Sequence, residues 1–203
     1  MKYPKTMQIN IDKKTGTFLG IILVLILAVV FLLAGNSSSP MSHSGHGSMS
    51  SDEDASSAYT DDELMFASMM IPHHSQAVTM SDLALANTTN PEILSLATAI
   101  RNAQAPEIAQ MQSWLDESSY SESHAHHMEM SGMLTDEEIA ELSSAKGATF
   151  DRLFLKGMIA HHEGAIEMLS MIKNSTSSQV KNLYADILTS QSAEIEAMKA
   201  LLK

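Results

Sequence analysis

Cysteine is absent from the 203-residue chain. Its absence removes disulfides, thiolate metal ligands and cysteine nucleophiles at once. Basic residues are also scarce: 12 Lys and Arg stand against 24 Asp and Glu, a formal charge of −12. This balance argues against nucleic acid as a partner, because phosphate binding needs clustered Lys and Arg. It is compatible with attracting cations. Aromatic residues make up only 5%. Convincing strand alternation is missing, so an all-α chain is expected. What the chain has in excess is methionine, 16 residues, together with nine histidines. The length allows one well-buried domain plus further segments.

Charge is unevenly spread. The first 35 residues hold four Lys and one Asp, net +3, which leaves −15 on the remainder. Within them, Phe18 to Ala34 reads FLGIILVLILAVVFLLA without a charge. About 20 apolar residues span a bilayer, whereas the core of a signal peptide is about 7–15 long. The run lies nearer a span. Residues 1–16 are therefore expected to be a cytoplasmic basic N-terminus and 17–35 a transmembrane anchor, with a cleaved signal sequence as the alternative. The lysines direct the rest of the chain outward. LLAGN has Asn36 where a lipidated cysteine would stand, which argues against a lipid anchor. The expected location is membrane-anchored with the domain outside the cytoplasm, periplasmic or at the cell surface, or secreted if the segment is cleaved.

Residues 36–59 are rich in Ser and Gly and cannot bury a core, so they read as a linker. The linker contains Met41, His43, His46 and Met49. These are either incidental to a solvated tether or a flexible metal-collecting tract. The folded domain is expected over 60–203, with repeats at 60–117 and 135–203 and a polar connection at 118–134. TDDE at Thr60–Glu63 is a capping box that opens a helix to about Ala86. Asn90 and Pro91 are an N-cap and a first helical residue for a second helix to about Leu115. Pro106 should kink that helix or remove one of its hydrogen bonds. The connection holds His124, His126, His127, Met128 and Met130, an auxiliary metal tract of the same kind as the linker's. TDEE at Thr135–Glu138 opens a short helix to about Ser144, and Gly147 breaks it. Two further helices follow, from about Ala148 to Lys173 and from about Ser178 to Leu202.

One stretch occurs twice. FASMMIPHHSQAVTM (Phe66–Met80) and FLKGMIAHHEGAIEM (Phe154–Met168) align at an offset of 88 residues. Farther along, QAPEIAQM (Gln104–Met111) matches QSAEIEAM (Gln191–Met198), and a bulky residue, Trp114 or Leu201, stands three positions after each. Each repeat is thus a helical hairpin. A hairpin alone cannot bury its apolar stripe, so the pair is expected to close into an antiparallel four-helix bundle.

At about 100° per residue, Phe66, Met70, Ala77 and Ala84 form a stripe, with His73 and His74 on its two sides. Phe154, Met158, Ala165 and Ile172 repeat it, flanked by His161 and His162. Met70 and Met158 lie three and four residues before their histidines, within reach of them. Met80 lies seven residues beyond His73, about 10 Å along the axis, and is too far to share one metal. Met168 has the same problem. Folding each hairpin about its turn brings Met70 level with Glu107, His73 with Gln104, Met158 with Glu194 and His161 with Gln191, to within a turn.

A single histidine on an apolar face is most often a hydrogen-bonded core residue, and helical methionines are most often adaptable core filler. Met80, Met111, Met168 and Met198 fit that description. Core packing, however, gives no reason to keep adjacent histidines at the same level in both copies. Metal binding explains it. Thioether sulfur is soft and selects Cu(I), while imidazole binds both copper states. Copper is therefore the first choice, Cu(I) above Cu(II), with Ag(I) as a mimic. A ferritin-like di-metal oxidase using His and Glu is the rival, although its usual Glu-x-x-His pair is missing. Zinc and a purely structural bundle remain as further readings.

MMIPHHSQAVTM and DRLFLKGMIAHHEGAIEM resemble the signatures of the domain of unknown function 305 family, which includes periplasmic and cell-surface copper-binding proteins of ferritin-like four-helix form. The resemblance covers about Thr60 to Leu202. It implies copper binding or copper tolerance, carried by Met70, His73, His74, Met158, His161 and His162. Pro72, Ser75 and Gln76 depart from Ala160, Glu163 and Gly164 of the second copy, which puts the equivalence of the two half-sites in question. Glu107, Glu194, Gln104 and Gln191 are candidate ligands or candidates to orient the imidazoles. The expected role is sequestration or delivery of metal, not catalysis, with any copper-trafficking partner unidentified.

Overall fold

The computed structural model describes residues 58–118, 120 and 130–203. The anchor and nearly all of the linker lie outside these residues, as do Met41, His43, His46, Met49, His124, His126, His127 and Met128. No helix among the described residues is long and apolar enough to cross a membrane.

All regular elements among the described residues are helical. They are α1 (Asp61–Asn87), α2 (Pro91–Glu117), α3 (Asp136–Ser144), α4 (Gly147–Met168) and α5 (Ser178–Leu201), with a 3₁₀ turn at Leu169–Met171. Three starts follow the expected caps. Thr60 Oγ1 accepts the Glu63 N–H at 3.3 Å while Glu63 Oε2 accepts the Thr60 N–H at 2.8 Å. Thr135 and Glu138 repeat the pair at 3.2 and 2.8 Å. Asn90 Oδ1 accepts from Glu92 N at 3.1 Å, ahead of Pro91.

Two expectations change. The third long helix was expected to remain α-helical to Lys173. Instead α4 stops at Met168 and tightens into the 3₁₀ turn, where Ile172 N–H donates to Leu169 O at 3.1 Å. Three-residue turns of this kind often finish a helix. This one leaves Ile172 at 2% exposure, in the core. Tyr59, assigned to the linker by composition, is also core: its ring stacks on Trp114 with centroids 5.1 Å apart. Pro106 does not interrupt α2, and Pro72 likewise sits inside an unbroken α1.

α1 and α2 form one hairpin and α4 and α5 the other. The hairpins meet chiefly through α1 against α4. Short α3 lies against both and plugs the side with Leu142. Asn87 at the end of α1 donates to the Leu142 and Ser143 carbonyls at 3.3 and 3.0 Å and pairs with Lys146.

Two apolar clusters result. One collects Phe66, Met69, Met70, Met111, Trp114, Ala165, Met168 and Leu183. The other collects Ala77, Met80, Ile100, Phe150, Phe154, Met158 and Met198. Met70 precedes the α1 histidines and shares a cluster with Ala165, which follows the α4 histidines. Met158 and Ala77 are related in the same way. α1 and α4 therefore cross antiparallel, with all four histidines between the two clusters. This polar layer is the site.

Candidate metal centre

His73, His74, His161 and His162 are each fully buried. The rings of His73 and His161 meet at the crossing, centroids 3.8 Å apart and tilted 41°. His74 and His162 lie farther out, 6.5 and 6.2 Å from their neighbours in sequence. Adjacent helical positions diverge by about 100°, so an HH pair sends one ring to the helix–helix crossing and the other toward the hairpin partner.

Every Nε2 has an acceptor. His74 Nε2 lies 2.7 Å from Glu107 Oε2, and His162 Nε2 lies 2.8 Å from Glu194 Oε2. His73 Nε2 lies 3.1 Å from the Ser131 carbonyl, and His161 Nε2 lies 2.9 Å from the His73 carbonyl. Carbonyls and carboxylates accept, so Nε2 carries the proton in each ring. His73 and His161, neutral by burial, are left with their lone pairs on Nδ1. None of the four Nδ1 atoms has a hydrogen-bond partner among the described residues.

The same holds for both amide atoms of Gln104 and Gln191, each residue only 1% exposed. Buried polar groups are nearly always satisfied, and leaving one unmade costs about 1–3 kcal/mol. Unpartnered groups at matching places in both repeats therefore point to a ligand. Behind His74, Glu107 is 13% exposed at its side chain, against 4% for Glu194. Asp186 stands near Glu107, its carboxyl pulled up first by burial and then by that neighbouring charge. Acid thus gathers on the more open side.

Burial pushes His73 down from 6.5 to about 4, against the opposing pull of the Ser131 hydrogen bond. Burial likewise pushes His161 down to about 2, helped by the neighbouring His73. Both imidazoles stay neutral in the fold where the unfolded chain would protonate them. Stability of the metal-free protein is therefore complete above about 6.5. It falls as the pH drops from there toward about 4 for His73 and about 2 for His161, at up to about 1.4 kcal/mol per pH unit for each. Urea midpoints at pH 7.5 and pH 5 check this. Equal midpoints would sink it.

All six expected methionines are buried in the two clusters, Met70 in the first and Met158 in the second. Met70, Met158, Met80, Met111 and Met198 are fully buried, Met168 is 7% exposed and Glu194 3%. Met80 and Met198 join the second cluster, and Met111 and Met168 the first. Met130 is half-buried against the first cluster. Glu107 and Glu194 bond His74 and His162, within the one-turn latitude of the expected register and at the level of the histidine pairs. Among the described residues, no three His, Asp or Glu side chains converge as a metal cage. The carboxylates are committed to Nε2 and face away from Nδ1. A metal held by Nδ1 would take its other donors from thioether or amide groups.

Sequence reasoning missed Ser131, Gly132 and the functional meaning of Gln76 and Gly164. A backbone carbonyl leaves no residue-type signature. The Gln76/Gly164 mismatch between the copies was the available signal.

Among the described residues the molecule is thus an all-helical, internally duplicated protein with a buried layer of four histidines, two of them bonded to glutamates. It belongs to the DUF305 family: the family model "Domain of unknown function (DUF305)" matches residues 63–202. A crystal structure of a DUF305 protein from Streptomyces coelicolor, described among secreted proteins, is 32% identical with a TM-score of 0.62, covering 70% of this chain and 91% of that one. CopM in its Cu(I)-bound form is 34% identical with a TM-score of 0.57, covering 68% of this chain and 94% of CopM. CopM has also been solved with Cu(II) and with Ag. Uncharacterized protein L153 of Acanthamoeba polyphaga mimivirus is 47% identical over 60 residues, which span 30% of this chain and 39% of the viral protein.

Proposed function

We propose that this chain binds copper outside the cytoplasm, to sequester or deliver it, in a closed ferritin-like four-helix bundle tethered to the membrane by residues 17–35. The observation that carries the reading is the set of four buried imidazoles whose Nε2 atoms are all engaged and whose Nδ1 atoms are not. Acceptors that hold the far nitrogen of a histidine fix its tautomer and raise its basicity as a ligand. His73, His74, His161 and His162 are the main ligands. Met70 and Met158 supply the Cu(I) preference. Gln104 and Gln191 offer an amide oxygen, the harder donor that suits Cu(II). Glu107 and Glu194 orient His74 and His162. The copper- and silver-bound forms of CopM support the choice of metal. No bond chemistry is required of the chain.

Elemental analysis of residues 58–203, which keep the core residue Tyr59, after Cu(I) loading and dialysis tests the reading. Copper should be retained by the wild type and largely lost from His73→Ala/His161→Ala. Unchanged copper in the double variant would refute the site. The His74–Glu107 and His162–Glu194 pairs keep a ferritin-like oxidase as the second reading. It requires turnover of a cuprous or ferrous salt with oxygen, whereas stoichiometric binding without turnover removes it.

A further inference from the structure

The two copies of the motif differ where Gln76 faces Gly164 in the alignment, and both residues touch the same piece of chain. Met130–Leu134 runs across the histidine layer as a strap. At one end, Gln76 brackets Leu134: its Nε2–H donates to the Leu134 carbonyl and its Oε1 accepts the Leu134 N–H, both at 2.8 Å. At the other end the strap is sunk into α4. A Cβ on Gly164 would lie 1.9 Å from the Ser131 oxygen, and a Cβ on Gly132 would lie 2.3 Å from the Ala160 oxygen. Gly132 also has φ +82, a conformation glycine adopts without strain. Gly157, two turns before Gly164 on the same face of α4, takes the Leu134 side chain, which would stand 3.0 Å from a Cβ there. Gly157 and Gly164 together form a slot, and the strap fills it.

Inside the slot, the Ser131 carbonyl accepts the His73 Nε2–H at 3.1 Å. His161 makes the counterpart bond to the His73 carbonyl at 2.9 Å. Under strict two-fold symmetry His73 would donate to the His161 carbonyl, and the strap supplies the acceptor instead. One central histidine is therefore oriented by helix backbone and the other by a loop.

We propose that the Met130–Leu134 strap, seated by Gly157, Gly164 and Gln76, is a positioning element that holds His73 in the Nε2–H tautomer and so makes the two duplicated half-sites inequivalent toward their metal. The consequence for metal rests on the copper reading, but the consequence for His73 can be read without metal. Repulsion between an unprotonated Nε2 and the Ser131 oxygen excludes the other tautomer while the strap is in place. Without the strap, His73 is free to rotate or to present Nε2, and its Nδ1 is no longer presented to the cargo.

The experiment uses metal-free protein labelled with ¹⁵N-histidine, with long-range ¹H–¹⁵N correlations reading each ring. Gly164→Ala fills the slot, and Gln76→Ala releases the clamp without a clash. His73 should lose its single Nε2–H signature in these variants, while His74, His161 and His162 keep theirs. In Cu(I) competition titrations the half-site containing His73 should weaken by about 10–100-fold, the scale for disturbing a ligand's orienting partner. A wild-type His73 tautomer in folded Gly164→Ala overturns the proposal. If Gly164→Ala does not fold, the same result in Gln76→Ala overturns it. A changed tautomer in a chain that takes up no copper upholds the strap and removes the copper reading instead.

Discussion

Replacing Gln104 and Gln191 together by leucine should stabilise the metal-free protein while reducing its uptake of Cu(II). Both amides are 1% exposed, and neither amide nitrogen nor oxygen has a hydrogen-bond partner among the described residues. Each unmade buried hydrogen bond costs about 1–3 kcal/mol. An apolar side chain of similar size removes that penalty and adds burial. For a domain of this size about 1 kcal/mol shifts the melting midpoint by several degrees, so the double variant should melt higher in a chelator-treated thermal scan. With metal present the sign reverses, because Cu(II) loses its amide oxygen. A lower midpoint without metal would show that the glutamines are ordinary structural residues, and that outcome removes them from the site.

Met70→Leu combined with Met158→Leu should leave the fold intact and abolish the preference for Cu(I). Both side chains are fully buried, one in each cluster, and each stands three residues before the first histidine of its pair. A Met-to-Leu exchange nearly conserves volume and usually costs less than about 1.5 kcal/mol. The thioether, by contrast, is the soft donor that favours Cu(I). Loss of a direct ligand should weaken Cu(I) at least as much as the roughly 10–100-fold seen when only an orienting partner is lost. Cu(II) affinity should change little. Competition against a chromophoric Cu(I) chelator measures the difference. Met80→Leu with Met198→Leu is the control, since both share the second cluster with Met158 but Met80 lies seven residues beyond His73, about 10 Å along the helix, and Met198 lies beyond Glu194 on α5. If the control weakens Cu(I) equally, the division of the methionines is wrong.

The helix starts were legible because capping is local. Thr60 with Glu63, Thr135 with Glu138 and Asn90 before Pro91 each satisfy amides within one turn, and the structure places all three as expected. The end of α4 was not legible. Nothing between Met168 and Lys173 forbids α-helix, and the sequence carries no signal for the 3₁₀ turn at Leu169–Met171. The hairpin register was legible only to within a turn, too coarse to say which ring each glutamate would meet. A turn residue sets the level only approximately, and a long Glu side chain leans along its helix toward the N-terminus before it meets a partner.

By itself the sequence determined the all-helical class, the duplicated hairpin and the burial of His73, His74, His161 and His162 beside Met70 and Met158. All of these follow from periodicity and from repetition at a fixed offset, which are properties of residue order. Tertiary structure alone decided which nitrogen of each imidazole is engaged, which ring each of Glu107 and Glu194 meets, and that Ser131 stands behind His73. Those bonds join residues as far as 88 positions apart, and two of the four use backbone carbonyls. A carbonyl is the same in every residue, so only the path of the chain can show where it points.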